Sequence, residues 1–359
     1  MSIFMLNLAA VLLMGVFRPS NCVEVSEHCY MQKEVTVVDI SPFAQPEKYP
    51  EEAREEVARV WGQAFESLGV ARIEGHGVSD TLILDLRAEA AAFFKLPSTE
   101  KTKHAYGPYG TSLGGYTPAG LEAVAQSVEG VEAAPDPVES FSIRCEVNGT
   151  GMEPPASKGG WGALPFSSAE KYVQEMDRVL SAIHRMSAVA LNLTSPDFFD
   201  SFYTRPNGNA LRLAFYPPPT TAQAEKEFRY GEHTDYSGFT ILLQDEHDHS
   251  NGAGGLEVQD PGSKQWFPVL PVTTTTSFVV NIGDLWKQWT NDKWTSTNHR
   301  VSSPSLGTKG AEHSRLSIVY FTGPRADAVI STLPGHGVSR HAPILAGDHL
   351  LEKLARTNV

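Results

Sequence analysis

Three residues in two short segments of the chain have the types and the spacing that metal coordination needs. His233 and Asp235 lie in "GEHTDYSGFTILLQ", and His299 follows 66 positions after His233 in "STNHRVSSP". Two imidazoles and one carboxylate can occupy one face of an Fe(II) octahedron, and the opposite face then stays open to a co-substrate and O2. The pattern therefore predicts a non-haem iron site that carries out an oxidation.

A second pair of polar residues lies further along the chain, in "SRLSIVYF", where Arg315 and Ser317 are two positions apart. Side chains two apart on a strand point to the same side, and the same spacing relates His233 to Asp235. A guanidinium is a planar, permanently charged fork that can bind a carboxylate with two hydrogen bonds. The segment predicts a carboxylate-binding site on the strand that carries Arg315.

The elements that must position these residues are short strands. After about residue 209 the sequence consists of strand-like runs that are separated by turns and not by helices. The runs are "ALRLAFYPP", "FTILLQD", "LEVQD", "QWFPVLP", "SFVVNIGD", "HRVSS" and "RLSIVYFT". This texture favours an antiparallel barrel or jelly roll. Such a closed architecture returns a late strand to the side of an early one, which lets His299 reach a site that begins at His233.

The first hundred residues alternate between strand-like and helix-like segments. "VTVVDISPF" and "VARIEGHGVS" read as strands, and "PEEAREEVARVWGQAFESLG" and "TLILDLRAEAAAFFKLP" read as amphipathic helices. A Gly- and Pro-rich stretch covers 105–165, a long helix is predicted over 167–193, and a last helix ends the chain. The predicted fold class is mostly β with flanking helices, a jelly-roll (double-stranded β-helix) catalytic core plus an α/β N-terminal region.

The predicted organisation has five segments. They are a leader or disordered tail (1–34), the α/β N-terminal region (35–165), a linking long helix (166–208), the jelly roll (209–330), and a C-terminal helix and tail (331–359).

Composition excludes several function classes. The chain has 29 Lys and Arg against 42 Asp and Glu, a formal net charge of −13, and no basic tract. Nucleic-acid binding is not expected, because phosphate contacts need clustered Lys and Arg. The three cysteines, Cys22, Cys29 and Cys145, form no CxxC pair. We expect neither a disulfide framework nor a zinc site.

The N-terminal segment contains an apolar run at 4–17, which is too short to span a bilayer as a helix and has the length of a signal-peptide core. No Lys or Arg precedes the run, and Arg18 follows it, which is the wrong side for a secretory signal. We favour a cytoplasmic monomer without stable membrane insertion, whose leader is either cleaved or spurious. Secretion is the alternative, and Met31 is an alternative start.

One further segment, "DEHDHSNGAGG" at 245–255, holds His and Asp residues close together. Its Gly and Asn content predicts an exposed loop. Metal binding by His247 or His249 is the weaker hypothesis for this segment.

Taken together, these motifs resemble those of a known enzyme family. The chain resembles the isopenicillin N synthase-like family of Fe(II)- and 2-oxoglutarate-dependent dioxygenases over nearly all of residues 35–350. "VTVVDISPF", "GHGVS" and "FFKLPSTEK" are similar to the family's N-terminal domain. "RLAFYPPP", "HTDYSGFTILLQD", "VVNIGDLWKQWTNDKWTSTNHRV" and "RLSIVYF" are similar to its catalytic jelly roll, in the same order.

The resemblance implies roles for individual residues. His233, Asp235 and His299 would bind iron. The distal carboxylate of 2-oxoglutarate would be held by Arg315 and Ser317, with Tyr216 of "FYPPP" as a third contact. Two departures stand out: Ala214 replaces an Asn that the family often has, and the stretch between Asp235 and His299 is slightly long.

The implied reaction converts 2-oxoglutarate and O2 to succinate and CO2 while a small-molecule metabolite is hydroxylated, desaturated or cyclised. One alternative is an isopenicillin N synthase-type oxidase, which uses Fe(II) and O2 without 2-oxoglutarate. Another is a binding protein that kept the fold and lost turnover. Four residues are candidates for the substrate pocket, although core positions are an equal alternative for them: Tyr116, Thr117, Phe141 and Phe321.

Overall fold

The computed structural model describes residues 22–25, 28–31, 34–106, 114–128, 130–144, 160–219, 228–272, 276–305 and 307–357. The chain divides into two compact units, 1–34 and 35–359. In the first unit, strands β1 (Cys22–Val25) and β2 (His28–Met31) pair antiparallel. The apolar run at 4–17 lies outside the described residues.

The second unit contains all the elements that position the candidate site. Its described α-helices are α1 (Ser41–Ala44), α2 (Glu51–Ser67), α3 (Asp80–Phe94), α4 (Ser98–Lys101), α5 (Ala169–Ala190), α6 (Asp284–Trp289) and α7 (Ala346–Thr357). Its strands are β3 (Thr36–Asp39), β4 (Val70–Glu74), β5 (Gly114–Thr117), β6 (Glu139–Arg144), β7 (Ala210–Tyr216), β8 (Phe228–His233), β9 (Phe239–Leu243), β10 (Gly255–Gln259), β11 (Trp266–Pro268), β12 (Phe278–Ile282), β13 (His299–Ser302), β14 (Arg315–Phe321), β15 (Val329–Ile330) and β16 (Ile344–Leu345).

Two sheets form the core of this unit, as the series of short strand-like runs in the sequence predicts. The larger sheet has the order β3-β4-β12-β9-β14-β7-β6-β5, and the smaller has the order β11-β10-β13-β8. Apolar side chains of the two sheets pack against each other, among them Leu256 and Val258 of the smaller sheet and Val70 and Val279 of the larger. The jelly-roll prediction is confirmed.

The N-terminal strands belong to the catalytic sheet. β3 pairs parallel with β4, and β4 pairs antiparallel with β12. β5 and β6 extend the other end of the same sheet through β7. Local patterning identifies a strand but carries no information about its partner, so the sequence predicted these segments as a separate α/β region and missed their place in the sheet.

Helices cover the larger sheet with an aromatic and aliphatic layer. The long helix α5 buries Val173, Met176, Leu180 and Ile183, whose spacing of three and four marks one helical face. Trp61 of α2 is completely buried in the same core. Buried aromatic side chains contribute large apolar areas, so this layer fixes the sheet that carries the site.

No helix in the described part of the chain combines the length and the apolar character that a membrane crossing requires.

Candidate metal and co-substrate site

The three candidate metal ligands converge because β8 and β13 are neighbours. His233, the last residue of β8, is paired in register with His299, the first residue of β13. Their ring centroids are 4.2 Å apart. The late strand thus returns to the side of the early one, as a closed β architecture requires.

Asp235 reaches the site by a different route from the one that strand alternation predicts. β8 ends at His233, so Asp235 lies in the loop beyond the strand. Its backbone carbonyl accepts a hydrogen bond from Asp284 N at 2.9 Å. The loop is therefore anchored to the start of α6, and this contact takes over the positioning that the strand was expected to provide.

The donor atoms of the three residues face one point. They all lie within 4.8 Å of one another, and Asp235 Oδ1 is 3.8 Å from Nε2 of both His233 and His299. The Nδ1 atoms of His233 and His299 lie 2.8 Å from Gly231 O and 3.1 Å from Thr297 O. A carbonyl only accepts, so we assign the ring protons to Nδ1, which leaves each Nε2 lone pair directed at the shared point.

Asp235 is oriented by two neutral donors. Thr240 Oγ1 and Asn281 Nδ2 donate to its Oδ2 atom at 2.5 and 2.6 Å. Burial opposes ionisation, but His299, His233 and these hydrogen bonds together hold the pKa of Asp235 below its ordinary value. The carboxylate is therefore charged, and its Oδ1 atom is left for a ligand.

The protonation states suit a cation. Burial, reinforced by the neighbouring His299, lowers the pKa of His233 to about 3, so its ring is neutral. Two imidazoles and one carboxylate that share an open face are a donor set for Fe(II). The residues present fit that ion.

The carboxylate-binding candidates lie on the larger sheet. Arg315 is paired in register with Tyr216, and its guanidinium carbon lies 5.2 Å from the centre of the Tyr216 ring. Ser317 is two positions along the same strand and pairs with Ala214. All four side chains line a cavity of about 70 Å³ between the sheets.

This smaller cavity also reaches the metal ligands, since His233, Asp235 and His299 are part of its lining. The structure therefore brings together the six residues that the sequence assigns to iron and 2-oxoglutarate. The rest of the smaller cavity's lining includes the apolar Leu242, Val279 and Val319 and the polar Arg212, Thr240 and Asn281.

Asp248 is the residue here that sequence reasoning missed. Its carboxylate accepts two hydrogen bonds from Arg315, Nε to Oδ1 at 2.7 Å and Nη2 to Oδ2 at 2.9 Å. Arg315 Nη1 donates to Ser317 Oγ. A guanidinium has five N–H groups, so these contacts leave one on Nη1 and one on Nη2 for a ligand. Burial opposes the charge of Arg315, but Asp248 keeps its pKa above the ordinary value.

The loop at 245–255 is therefore not simply exposed. The Asp248 side chain is 1% exposed. Asp245 fastens the loop to β14 by accepting a hydrogen bond from Leu316 N at 2.7 Å. His249 Nε2 lies 2.8 Å from Leu256 O. Neither His247 nor His249 belongs to the metal-ligand cluster.

A larger cavity of about 260 Å³ meets the smaller one at the metal ligands. Both are lined by His233, Asp235 and Phe321. Leu350 and Leu354 of α7 form part of the larger cavity's wall. The C-terminal helix, to which the sequence assigned no role, is thus part of the site.

The four candidate pocket residues divide into two pairs. Thr117 and Phe321 line the larger cavity. Tyr116 and Phe141 line neither cavity and are 2% and 0% exposed, so the expectation that these two line a pocket is wrong. Alternation along β6 explains Phe141, because Ser142 faces the cavity and Phe141 faces the core on the opposite side.

Two family profiles match the chain. The profile of the 2OG-Fe(II) oxygenase superfamily matches residues 207–324, and that of the non-haem dioxygenase in morphine synthesis N-terminal region matches residues 35–159. The first match contains all six candidate ligands of the metal and 2-oxoglutarate.

Named relatives cover most of the chain. The proline hydroxylase buaE of Petromyces alliaceus is 31% identical over 275 residues, which are 75% of this chain and 82% of the relative. The validamycin A dioxygenase of Streptomyces hygroscopicus subsp. limoneus is 31% identical over 339 residues, 90% of this chain and 86% of the relative.

Solved structures support the same comparison. A full-length Neurospora crassa protein in complex with alpha-KG matches with a TM-score of 0.72 at 28% identity, covering 89% of this chain and 96% of that one. The complex of the same Neurospora crassa protein with alpha-KG and thymine matches with a TM-score of 0.73 at 27% identity, with the same coverage.

Proposed function

Since this chain belongs to the 2OG-Fe(II) oxygenase superfamily, we propose that His233, Asp235 and His299 bind its Fe(II). The protein is an oxidoreductase that uses Fe(II), 2-oxoglutarate and O2 to oxidise a small molecule. The donor atoms that face one point, the neutral His233 ring and the ionised Asp235 support this assignment.

Arg315, Ser317 and Tyr216 hold the distal carboxylate of 2-oxoglutarate in this proposal. Arg315 offers two N–H groups on the edge that Asp248 leaves free. Much of the lining of the smaller cavity is apolar, and a charge-assisted pair is stronger where the local dielectric constant is low. The single observation that carries the proposal is that this cavity is lined by Arg315 at one place and by all three metal ligands at another.

The chemistry divides between the bound groups and the protein. When bound, Fe(II) and 2-oxoglutarate activate O2, with succinate and CO2 as co-products and one C–H bond of the substrate oxidised. The chain's own residues bind and orient. Thr240 and Asn281 fix the Asp235 carboxylate, and Asp248 fixes Arg315. The two cavities then let co-substrate and substrate approach the same ligands from different directions.

The substrate is a small molecule that the relatives do not identify. Their names point to dissimilar compounds, proline and validamycin A, and the Neurospora crassa structure holds thymine. We propose a cytoplasmic monomer that acts on a metabolite and not on nucleic acid. The net charge of −13 without a basic tract supports the last point.

The experiment that tests the co-substrate assignment is a kinetic comparison of Arg315→Lys with wild type, with succinate as the readout. We expect the KM for 2-oxoglutarate to rise about tenfold to a hundredfold, because an ammonium cannot reproduce the two-pronged contact. Arg325→Lys, at a partly exposed pair with Asp327, is the control and should leave the KM unchanged. An unchanged KM in Arg315→Lys would overturn the assignment.

A further inference from the structure

A second arginine faces the larger cavity. Arg144 is the last residue of β6 and pairs with Ala210 of β7. It lies two positions from Ser142, on the same face of the strand, and lines the cavity together with His233 and Asp235. Its side chain therefore belongs to the same chamber as the metal ligands, but not to the smaller cavity that contains Arg315.

Arg144 differs from the other cavity-lining arginines in having no ion pair with a carboxylate among the residues that the structure describes. Arg315 is paired with Asp248. Arg212 is paired with Glu122, Nη1 to Oε1 at 3.2 Å and Nη2 to Oε2 at 2.6 Å. The Arg144 side chain makes no hydrogen bond or ion pair with any described residue, and its Nε atom is buried without a partner.

A partly buried guanidinium that has no ion pair among the described residues is costly. Removing a charge from water without a partner is strongly unfavourable, as the deletion of one member of a buried ion pair shows. Burial and the nearby positive charge of Arg212 lower the pKa of Arg144, but a guanidinium does not lose its proton in proteins. Costly, unsatisfied polar groups that point into a cavity are characteristic of ligand-binding sites.

The surroundings of Arg144 define the chemistry of the missing partner. A guanidinium fork is complementary to a planar carboxylate. The nearby Arg212 is already paired with Glu122, so Arg144 is the arginine of this chamber with which a bound carboxylate would pair. The lining of the same cavity also includes the apolar Leu350 and Leu354 of α7. These features favour a ligand that has a carboxylate and an apolar body.

We infer that the substrate is a small organic acid whose carboxylate pairs with Arg144, while its apolar part lies against α7 and a C–H bond faces the metal ligands. The inference rests on the proposed function and adds to it the class of substrate. Each anion then has its own arginine, Arg315 for 2-oxoglutarate and Arg144 for the substrate.

The first part of the test is the stability of the protein without ligands. Arg144→Gln removes a cation that has no partner among the described residues, so we expect its thermal midpoint to equal or exceed that of wild type. Arg340→Gln, at an exposed position, is the matched charge control. A clear loss of stability in Arg144→Gln alone would mean that Arg144 has a structural partner, and would overturn the inference.

The second part measures ligand binding with pairs of compounds in which a carboxylate is replaced by the uncharged amide. Phenylacetate and phenylacetamide, and octanoate and octanamide, are titrated by saturation-transfer NMR against wild type, Arg144→Gln, Arg144→Lys and Arg340→Gln. We expect wild type and Arg340→Gln to prefer acids over amides about tenfold, which corresponds to one good ion pair. Arg144→Gln should lose that preference, and Arg144→Lys should keep part of it.

Three outcomes of the titration would contradict the inference: no acid binds wild type, amides bind as well as acids, or the preference survives in Arg144→Gln. The Kd of 2-oxoglutarate should be the same in wild type and Arg144→Gln, and a joint loss would show that Arg144 serves the co-substrate instead. The titrations need no bound iron, so failure of the proposed iron chemistry can be told apart from failure of this inference.

Discussion

Asp248 and Arg315 form a buried, two-pronged ion pair that joins the loop after β9 to the strand β14. The pair uses the Nε edge of the guanidinium, and its outer edge remains for a ligand. Asp248 comes from a segment whose composition indicates exposure, although its side chain is 1% exposed. It is a positioning residue, since it acts on a bound carboxylate only through Arg315.

Asp248→Asn should weaken 2-oxoglutarate binding and lower stability. Breaking one side of a buried ion pair costs about 3–5 kcal/mol, because the remaining charge is left uncompensated. A guanidinium that is no longer held should raise the KM for 2-oxoglutarate about tenfold with little change in kcat. The control is Glu246→Gln in the same loop, whose carboxylate is 70% exposed. Wild-type stability and KM in Asp248→Asn would refute the positioning role.

Asn281→Ala should weaken iron binding without removing a ligand. The Asn281 amide donates to Asp235 Oδ2 at 2.6 Å and so helps to aim Oδ1 at the metal. Loss of such an orienting hydrogen bond typically costs about 10- to 100-fold in metal affinity. Competition with a metal chelator measures the change. Thr240→Val, which removes the second donor to Oδ2, should act in the same direction. Unaltered affinity in both variants would contradict this role.

Asp235→Ala should abolish iron binding and 2-oxoglutarate turnover and leave the protein folded. The change removes the one anionic donor of the cluster. Binding of Fe(II) is measured directly under anaerobic conditions, and circular dichroism reports folding. Asp327→Ala, at a carboxylate that is 74% exposed, serves as the control. Turnover that survives in Asp235→Ala would show that the metal site has been assigned to the wrong residues.

Asp136 should make the stability depend on pH. Its carboxylate accepts hydrogen bonds from Val124 N and Gly231 N, but burial raises its pKa from 3.8 to about 6. The raised value means that the folded state favours the protonated carboxyl. The stabilising contribution is therefore complete below about pH 4 and is lost as the pH rises through about 6.

The side chain in the Asp136→Asn variant cannot ionise, so this variant should not lose stability as the pH rises. We expect its free energy of unfolding, relative to wild type, to rise by up to about 3 kcal/mol between about pH 4 and pH 7, the equivalent of about two pKa units. Urea denaturation at several pH values gives the difference directly. A difference that stays constant with pH would show that the pKa of Asp136 is not raised.

The residues that sequence reasoning could find were those whose side-chain chemistry is distinctive. Two His and one Asp in this order, within strand-like runs, rarely occur together unless they bind a metal. Separately, alternation along β14 places Arg315 and Ser317 on the same face of the strand. The jelly roll followed from the same runs. Strand alternation, from which the position of Asp235 was predicted, is not what holds this residue at the site. β8 ends before Asp235, and a hydrogen bond between Asp235 and the start of α6 holds the residue in place.

The residues that it missed depend on contacts between distant segments. Asp248 is buried because Asp245 fastens its loop to β14, 71 positions away. Arg144 stands out only because its neighbour Arg212 has a carboxylate, whereas Arg144 has none among the described residues. Neither fact can be read from local composition. The place of β3 and β4 in the catalytic sheet was missed for the same reason, since pairing partners are set by the whole fold.

The most direct test of the central claim is an anaerobic titration of the purified protein with Fe(II) and then with 2-oxoglutarate, followed by visible absorption. We expect a weak charge-transfer band that appears only when both are present and fades when O2 is admitted, with succinate formed. Iron binding without a band on addition of 2-oxoglutarate would contradict it and favour an oxidase that needs no 2-oxoglutarate. Absence of iron binding would contradict the metal site itself.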